Sequence, residues 1–308
     1  MRVTLDTNAL YTTQAGVPRY GRGGFHGLGG LAEPESARRR LAWEVPNLEF
    51  RQPARAWRTA YRELVWTWAV ARPALRRERP DVFHSTIQPL VVPPRGMPHV
   101  GTLHDLAILE HPERFRWWHR RASVSRLRRY RRMDRVICIS RFTADAAVRL
   151  LGLAPQRVVV VHNGTDMTEA AAEQAPDFPV PAEVFLFVGS LEPGKNLALL
   201  RETYKLARRA GRELPPLLIV GARWSGVAGE GAPPANWHYL GRQPDGVLIH
   251  LYRRALALAF PSKYEGFGLP VAEAMQLGCP VVCSPVASLP EVAGDAALFV
   301  PSRPPRTW

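Results

Sequence analysis

The stretch EGFGLPVAEAM, residues 265–275, places two carboxylates, Glu265 and Glu273, eight positions apart around a Gly-x-Gly turn. It follows the apolar run ALALAF, which predicts a buried strand, and it continues into an apolar run that predicts a helix. Gly266 and Gly268 allow the backbone to approach a ligand closely. A strand, a glycine turn and a helix in this order predict one unit of a parallel α/β sheet, with both glutamates near its ligand-binding carboxyl edge.

Short apolar runs alternate with helical runs on both sides of an acidic, proline-bearing stretch that begins near residue 166. Strands separated by helices of about 10–20 residues predict parallel sheets made of βαβ units. The sequence therefore predicts an α/β fold of two doubly wound, Rossmann-like domains, residues 1–165 and 183–308, joined by a linker at 166–182. Ligands of such folds bind outside the carboxyl ends of the strands, so two facing domains would form a binding cleft.

The 308-residue chain has a formal net charge of +14, and the distribution of this charge is informative. Residues 1–165 carry 28 Lys and Arg against 13 Asp and Glu, whereas residues 166–308 carry 13 against 14. A strongly basic half is typical of proteins that bind nucleic acid or an anionic membrane. Because no nucleic-acid-binding module is recognisable, we expect no nucleic-acid partner.

The start of the chain lacks the long apolar segment of a signal peptide, and the run LVWTWAVA is too short to span a bilayer. The three cysteines, Cys138, Cys279 and Cys283, form neither a disulfide framework nor a metal-binding pattern. We therefore expect a cytoplasmic protein with reduced cysteines and no metal site.

Lys195 lies in FVGSLEPGKN, where an apolar strand ends and a helix begins near Asn196. Free backbone N–H groups at a helix start favour an anion, and the lysine adds a positive charge, so this loop is a candidate phosphate site. The alternative is a plain connection with a surface lysine. Glu265 and Glu273 have comparable alternatives, a solvated loop carboxylate and a carboxylate that stabilises a helix N-terminus.

His104 and Asp105 follow a strand of the first half, in TLHDL. A histidine at the carboxyl end of a strand can bind a substrate or titrate near neutral pH, although a single histidine often only satisfies a loop carbonyl. Gly16 and Arg19 lie in AGVPRYG, a flexible and cationic loop that follows the first strand. These four residues are candidates for the ligand-facing edge of the first domain.

Residues 114–135 hold ten arginines together with four aromatic side chains. A cationic helix with aromatic residues is typical of an interfacial membrane element. The same segment could instead hold an anionic acceptor or present a solvated face, and the sequence leaves these three interpretations open. An anionic membrane surface that binds Arg114–Arg135 is one expected partner, which would place the protein at the inner membrane face.

Seven segments, spread over nearly the whole chain in the family's order, resemble the retaining glycosyltransferases of family 4, group 1 type, which have the GT-B fold. They are AGVPRY, DVFHS, TLHDLAILEHPERF, VICISRFTADA, VVVVHNGTD, FVGSLEPGKNLALL and ALAFPSKYEGFGLPVAEAMQLGCPVVCSPVASLPEVAGDAALFV. The last contains the family's E-x7-E element, Glu265 and Glu273. The form GSLEPGKN is most similar to bacterial mannosyl- and rhamnosyltransferases of polysaccharide assembly.

The resemblance implies a role for each candidate residue. Glu265 and His104 would be the catalytic residues: Glu265 would bond hydroxyls of the donor sugar, and His104 would lie beside that sugar. Glu273 would bond the ribose of the nucleotide, and Lys195 would meet the diphosphate. The remaining donor-binding positions would be Ser190, Lys263, Gly266, Phe267 and Gly268, and the positions of the first domain that line the cleft would be Gly16, Arg19 and Asp105.

The implied reaction transfers a hexose or deoxyhexose, with retention, from a GDP-, UDP- or dTDP-sugar to a glycan or lipid-linked acceptor in cell-surface polysaccharide synthesis. The resemblance implies no cofactor and no metal, and no Asp-x-Asp metal pattern is evident in the sequence. It also implies no protein nucleophile, because the leaving phosphate would accept the proton of the acceptor. A soluble glucan- or sucrose-type glucosyltransferase and a degenerate, inactive transferase that serves as a scaffold are the alternatives.

Three departures from the family pattern modify this expectation. Ser190 stands where many relatives have arginine, and Gly194 stands where close relatives have arginine, so we expect weaker phosphate binding unless Arg19 or Lys263 compensates. The run RYGRGGFHGLGGL carries six glycines where relatives have a firm helix, and glycine disfavours a helix. The ending VPSRPPRTW resembles a truncation, since relatives continue into a further helical subdomain.

Overall fold

The computed structural model describes residues 1–8, 38–41, 54–165, 167, 171–222 and 234–301. The chain forms two compact units, Met1–Asn163 and Gly164–Trp308. Each unit contains a six-stranded sheet in which the described neighbouring strands are parallel. The predicted α/β fold of two doubly wound domains is confirmed.

The sheet of the first unit has the strand order β2-β1-β3-β4-β5-β6. Its strands are β1 Val3–Asp6, β2 Arg38–Leu41, β3 Val82–Ser85, β4 His99–Leu103, β5 Arg135–Cys138 and β6 Val158–Val160. Its described α-helices are α1 Ala54–Ala60, α2 Arg72–Glu78, α3 Ala107–Glu110, α4 Trp117–Leu127 and α5 Arg141–Leu151. Further helical segments are the π-helix Tyr61–Ala71 and the 3-10 helices Pro112–Arg114, Arg128–Arg132 and Pro155–Arg157.

Local sequence explains the limits of α5. The hydroxyl of Ser140 accepts a hydrogen bond from the amide of Thr143 at 3.1 Å and so caps the N-terminus. Gly152 ends the helix with a left-handed φ of 63°, which glycine adopts at little cost. Ala147 of this helix and Val136 of β5 belong to one buried core, so the helix packs on the sheet.

The sequence pattern predicts one helix over residues 55–78 and another over residues 112–133, and the structure differs from both predictions. The run predicted as one helix over residues 55–78 is helical throughout, but its centre, Tyr61–Ala71, is a π-helix. The run predicted as one helix over residues 112–133 is divided into the three short helices given above. The first break falls at Phe115 and Arg116, whose backbones are extended and therefore cannot continue a helix.

The sheet of the second unit has the strand order β12-β11-β10-β7-β8-β9. Its strands are β7 Phe185–Val188, β8 Leu217–Val220, β9 Trp237–Gly241, β10 Ala257–Phe260, β11 Val281–Cys283 and β12 Ala297–Phe299. Its described helices are the 3-10 helix Pro193–Lys195 and the α-helices α6 Leu197–Arg209, α7 Asp245–Arg254, α8 Leu269–Gln276 and α9 Leu289–Ala293.

The segment predicted as a linker packs on the second unit where the structure describes it, from residue 171 onward. Phe178 lies against the main core of this unit. The carboxylate of Glu173 pairs with His250 at 2.9 Å and with Arg253, both on α7. Apolar and charged contacts therefore hold this irregular segment on α7 and the core.

Each sheet has a point at which the strand order reverses. In the first unit the chain passes from β1 to β2 on one side and then to β3 on the other, so the reversal lies between β1 and β3. In the second unit β8 lies on one side of β7 and β10 on the other, so the reversal lies between β7 and β10. Ligands of open α/β sheets bind beyond the carboxyl ends of the strands at such points.

Candidate functional site

Lys195 and Glu265 meet at the reversal point of the second sheet. Lys195 follows β7 and Glu265 follows β10, and the Nζ and Oε1 atoms are 2.6 Å apart. The two side chains are 15% and 11% exposed, so they remain accessible to a ligand while partly shielded from water. The sequence predicted both residues as site residues, and the structure shows that they form an ion pair.

The Lys195 loop is shaped by glycines. The stem of Lys195 lies over Gly189, where an added Cβ would be 3.6 Å from Cε of the lysine. Gly221 follows β8 with a φ of 142°, and a Cβ there would lie 1.9 Å from the carbonyl oxygen of Gly189. The backbones of the loops after β7 and β8 therefore approach more closely than any other residue at position 221 would allow.

Two hydrogen bonds join the Lys195 loop to the loop after β10. The side-chain amide of Asn196 donates to the carbonyl of Pro261 at 3.0 Å. The amide of Lys263 donates to the carbonyl of Gly194 at 2.9 Å, while the Lys263 side chain is exposed. Because both loops are fixed to each other, the ammonium and carboxylate are positioned before any ligand arrives.

A buried serine fixes the Glu265 loop from behind. The hydroxyl of Ser288 shares its hydrogen bond between the carbonyls of Glu265, at 2.9 Å, and Phe267, at 2.8 Å. Gly268 has a φ of 100° and ends this loop where α8 begins, and a Cβ there would lie 2.5 Å from Leu289. The sequence analysis did not identify Ser288, although the S-x-x-E pattern before α9 is a recognisable helix-cap signal.

Glu273 is buried on α8 and accepts a hydrogen bond from the hydroxyl of Tyr252 at 3.0 Å. Tyr252 is fully buried on α7 and was not identified from the sequence. A hydrogen bond from a hydroxyl to a carboxylate offsets part of the free-energy cost of burying that carboxylate. The second glutamate of the E-x7-E element is therefore held by a neighbouring helix.

The remaining predicted positions of the second unit have modest contacts. The hydroxyl of Ser190 donates to the carboxylate of Glu192 at a long 3.4 Å. Gly266 is half-buried, and Phe267 and Gly268 are buried. Their roles toward a donor remain predictions.

His104 lies beyond the carboxyl end of β4 in the first unit. Its Nε2 donates to the carbonyl of Thr86 at 2.8 Å, since a carbonyl can only accept. Burial lowers the pKa of His104, against the opposing effects of that carbonyl and of Asp105, so the ring is neutral at pH 7. The carboxylate of Asp105 is exposed and accepts a hydrogen bond from the amide of Ala107 at 2.9 Å, at the start of α3.

Asp6 occupies the reversal point of the first sheet, and the sequence analysis missed it. It ends β1 and is fully buried, and its Oδ1 accepts hydrogen bonds from the amide of Asn8 at 3.0 Å and from the Asn8 side chain at 2.6 Å. The hydroxyl of Thr86 donates to the Asp6 carbonyl at 2.6 Å and so joins the ends of β1 and β3. Burial raises the Asp6 pKa to about 6. An acid at the end of the buried run VTLD was the available signal.

Two further histidines lie in the same sheet, of which His84 is partly buried and His99 is buried. His84 hydrogen-bonds to the hydroxyl of Thr102 at 2.8 Å, and His99 to the hydroxyl of Ser85 at 3.0 Å. Burial lowers the pKa of each ring to about 4, so both are neutral near pH 7. These histidines support the sheet from within and make this unit sensitive to acid.

Gly16 and Arg19 lie outside the residues that the structure describes. Among residues that it does describe, no group of three His, Cys, Asp or Glu side chains is arranged to hold a metal ion. Within the same ranges, no helix has both the length and the apolar character that crossing a membrane requires.

Comparison with known proteins assigns the family. The model for "Glycosyltransferase Family 4" matches residues 29–169, and that for "Glycosyl transferases group 1" matches residues 169–305. The chain belongs to the family 4, group 1 glycosyltransferases. The resemblance found in the sequence is thereby confirmed, and the second match contains both glutamates of the E-x7-E element.

A curated relative and two solved structures agree with this family. The O-antigen chain mannosyltransferase B of Escherichia coli is 33% identical over 245 residues, which make up 73% of this chain and 62% of the relative. Sucrose-phosphate synthase from Thermosynechococcus elongatus has a TM-score of 0.69 at 17% identity, covering 98% of this chain and 86% of that one. Anabaena HepE, in complex with UDP and glucose, has a TM-score of 0.63 at 18% identity with the same coverage. The chain thus has the GT-B fold and spans less than two thirds of the length of the E. coli relative.

Proposed function

We propose that this glycosyltransferase moves a mannose- or rhamnose-like hexose or deoxyhexose, with retention, from a nucleotide-sugar to a glycan or lipid-linked acceptor in polysaccharide synthesis. The ion pair between Lys195 and Glu265 at the β7–β10 reversal point is the observation that carries the proposal. A nucleotide-sugar combines an anionic diphosphate with a sugar rich in hydroxyl groups. A fixed ammonium beside a fixed carboxylate is complementary to both parts.

Lys195 supports the departure of the nucleoside diphosphate. As the glycosidic bond breaks, negative charge develops on the phosphate oxygen, and a positioned ammonium stabilises it without further reorganisation. The loop carrying Lys195 is already joined to the Glu265 loop by the bonds at Gly194 and Asn196. We propose that Lys263, whose side chain is exposed, reaches the same phosphates in place of the arginines that relatives have at positions 190 and 194.

Glu265 accepts hydrogen bonds from hydroxyls of the donor sugar in this proposal. The ammonium of Lys195 lies 2.6 Å from Oε1 of Glu265, and the carboxyl oxygens supply the acceptors that those hydroxyls require. Glu273, held by Tyr252, accepts from the ribose hydroxyls, and the amides of Gly266, Phe267 and Gly268 donate to sugar and phosphate. The leaving phosphate takes the proton of the attacking hydroxyl on the same face, so the chain supplies no nucleophile. The proposed reaction also uses no cofactor and no metal.

The acceptor side of the proposal involves the first unit. The neutral imidazole of His104, whose Nε2 donates a hydrogen bond to the carbonyl of Thr86, would lie beside the donor sugar. Asp105, Gly16 and Arg19 would line the acceptor path. Similarity to the O-antigen chain mannosyltransferase of E. coli supports mannosyl transfer in polysaccharide assembly, and similarity to HepE, which was solved with UDP and glucose, supports a nucleotide-linked donor. We propose a cytoplasmic location, with residues 114–135 directed at an anionic membrane.

A donor screen followed by a transfer assay tests the function. GDP-mannose, dTDP-rhamnose and UDP-glucose are each added to the full chain while thermal unfolding is measured. We expect one of them to raise Tm and then to give a product whose anomeric configuration, determined by NMR, equals that of the donor. Transfer only to soluble glucose or fructose phosphates would indicate a sucrose-type enzyme, binding without transfer would indicate an inactive scaffold, and an inverted product would contradict the retaining mechanism.

A further inference from the structure

The helical segment Ala54–Ala71 exposes a row of large apolar side chains. Trp57 is 80% exposed, Tyr61 47%, Leu64 71% and Trp68 58%. All four are exposed while Trp66 and Ala71 of the same segment are buried, so the four lie on its solvent side. These four residues are called the aromatic stripe below. Soluble proteins rarely expose so much contiguous apolar surface unless it contacts a partner or a membrane.

The other side of the same segment is used to build the first unit. Trp66 and Ala71 are buried, together with Leu75 of α2, in a core that includes Phe83 of β3. One side of the helical segment therefore packs in the core of the first unit. The aromatic stripe is exposed although the segment itself is packed on that unit. Removal of a stripe side chain leaves the buried core intact.

Positive charges accompany the aromatic stripe. Residues 54–78 contain six arginines against two glutamates. The guanidinium of Arg72 lies 4.7 Å from the centroid of the Trp68 ring, and Arg58 is exposed beside Trp57. A surface that combines tryptophan with arginine suits the boundary between lipid headgroups and acyl chains, where the rings are buried and the cations meet phosphates.

Helix α4 contacts this segment and also combines exposed tryptophan side chains with arginine. The Nη1 atom of Arg126 donates to the carboxylate of Glu63 at 2.9 Å, which joins α4 to the π-helix. Near its start, α4 exposes Trp117 and Trp118, and the Arg116 guanidinium lies 5.2 Å from the centroid of the Trp118 ring. A second aromatic and cationic surface is thus attached to the first by an ion pair.

The later arginines of residues 114–135 have internal roles. Arg129 donates to the carbonyls of Pro89 and Leu90, at 3.0 and 2.7 Å, and Arg131 donates to the carbonyl of Leu151 at 2.5 Å. These bonds tie loops and helices of the first unit together. In the arginine-rich segment, the arginine and tryptophan side chains near residues 116–118 are therefore exposed, whereas Arg129 and Arg131 stabilise the first unit through hydrogen bonds.

We propose that the aromatic stripe docks the first unit on an anionic lipid bilayer, with the exposed arginines Arg58, Arg76 and Arg77 at the headgroups. A symmetric contact between two copies would bring like-charged arginines together, which opposes self-association through this face. Anionic lipid instead neutralises them, and each arginine near the surface adds to the attraction. The inference is independent of sugar transfer, and activity toward a soluble acceptor reports separately on the proposed function.

Co-sedimentation with vesicles tests the docking surface. The full chain is mixed with vesicles of phosphatidylglycerol and phosphatidylcholine, or of phosphatidylcholine alone, in low and high salt. We expect binding to the anionic vesicles only, with reduction by salt. The Trp57→Ser/Trp68→Ser variant should bind about tenfold more weakly or worse, because membrane affinity follows the apolar area that enters the interface.

A matched pair of single variants controls for the loss of any exposed apolar group. Leu64→Ser removes a stripe residue, whereas Leu298→Ser removes a leucine of similar exposure, 64%, on β12 of the second unit. Leu64→Ser should weaken vesicle binding and Leu298→Ser should not. The proposal is overturned if the wild-type chain ignores anionic vesicles, if both leucine variants behave alike, or if the tryptophan variant abolishes self-association while vesicle binding persists.

Discussion

The two sheet-reversal points of the molecule share a topology and differ in chemistry. At the β7–β10 edge, Lys195 and Glu265 form a charged pair that is partly accessible to solvent. At the β1–β3 edge, buried Asp6, Thr86 and His104 form a polar cluster in which the imidazole is neutral. The first arrangement suits an anionic, hydroxyl-rich donor. In the second, the electrostatic effect of the Arg62 guanidinium on Asp6 opposes the rise in the pKa of that carboxyl which burial causes.

Apart from Glu265, replacement of Lys195 should reduce transfer the most. Lys195→Met removes the cation that stabilises the leaving phosphate, and we expect kcat/KM for transfer to fall about 100- to 1,000-fold. The control is Lys205→Met, which breaks a comparable ion pair with Glu202, 2.8 Å long, on the exposed side of α6. Equal activities of the two variants in a transfer assay would contradict a specific role of Lys195 at the β7–β10 edge.

Gly221→Ala tests the close approach of backbones beneath the Lys195 loop. Because the new Cβ would lie 1.9 Å from the Gly189 oxygen, the loops must separate, and we expect a loss of about 3 kcal/mol in the free energy of unfolding. Gly164→Ala is the control, since no atom lies within 4 Å of a Cβ built there. Urea unfolding that gives the same stability for both variants would contradict the described packing.

Acid should act mainly on the first unit. His84 and His99 have folded pKa values of about 4, below the ordinary 6.5, so the stability present above pH 6.5 is lost as the pH falls toward 4. We expect each histidine to lower the free energy of unfolding by about 2–3 kcal/mol when the pH has fallen to 4. Asp6 acts in the opposite direction, because its raised pKa of about 6 favours the folded state as the pH falls through 6, and it offsets part of that loss.

Urea unfolding between pH 7 and pH 4 measures this dependence. His99→Gln should reduce the loss of stability with falling pH, because one buried imidazole no longer resists protonation. His238→Gln changes an exposed histidine on β9 of the second unit and should leave the slope of the wild-type chain unchanged. A stability that is flat over this range would mean that the buried histidines do not control acid sensitivity.

Tyr252→Phe should have the smallest effect. It removes the hydroxyl that donates to buried Glu273, and we expect a loss of about 1–2 kcal/mol in unfolding free energy together with weaker donor binding. Tyr239→Phe, on the exposed face of β9, provides the comparison. If calorimetry shows equal donor affinity for both variants, Tyr252 has no part in positioning the second glutamate.

Much of the second unit could be predicted from the sequence because its signals are local. Gly266 and Gly268 mark a turn, and Lys195 and Glu265 each follow an apolar strand, so their placement at one sheet edge follows from parallel topology. The contact between Lys195 and Glu265 could not be predicted, since it depends on how two loops 70 residues apart are joined. Tyr252 was missed for the same reason, because its partner lies on another helix.

The first unit was less predictable because its polar groups are buried and its charges have several uses. The sequence pattern does not distinguish Arg129, which bonds backbone carbonyls inside the unit, from exposed Arg116. Nor does it show that Trp66 is buried while Trp68, two residues later, is exposed, since both occur in one apolar run. Tertiary packing decides these assignments, and the π-helix changes which residues share a face.

Transfer activity of the Glu265→Ala variant tests the central claim most directly. The full chain, this variant and a Glu202→Ala control are assayed for sugar transfer with the donor found in the screen, after confirmation that all three have the same Tm within a few degrees. If Glu265 holds the donor sugar beside Lys195, the Glu265→Ala variant has no measurable transfer and the control keeps wild-type activity. Full activity of Glu265→Ala would contradict the assignment of the β7–β10 edge as the donor site.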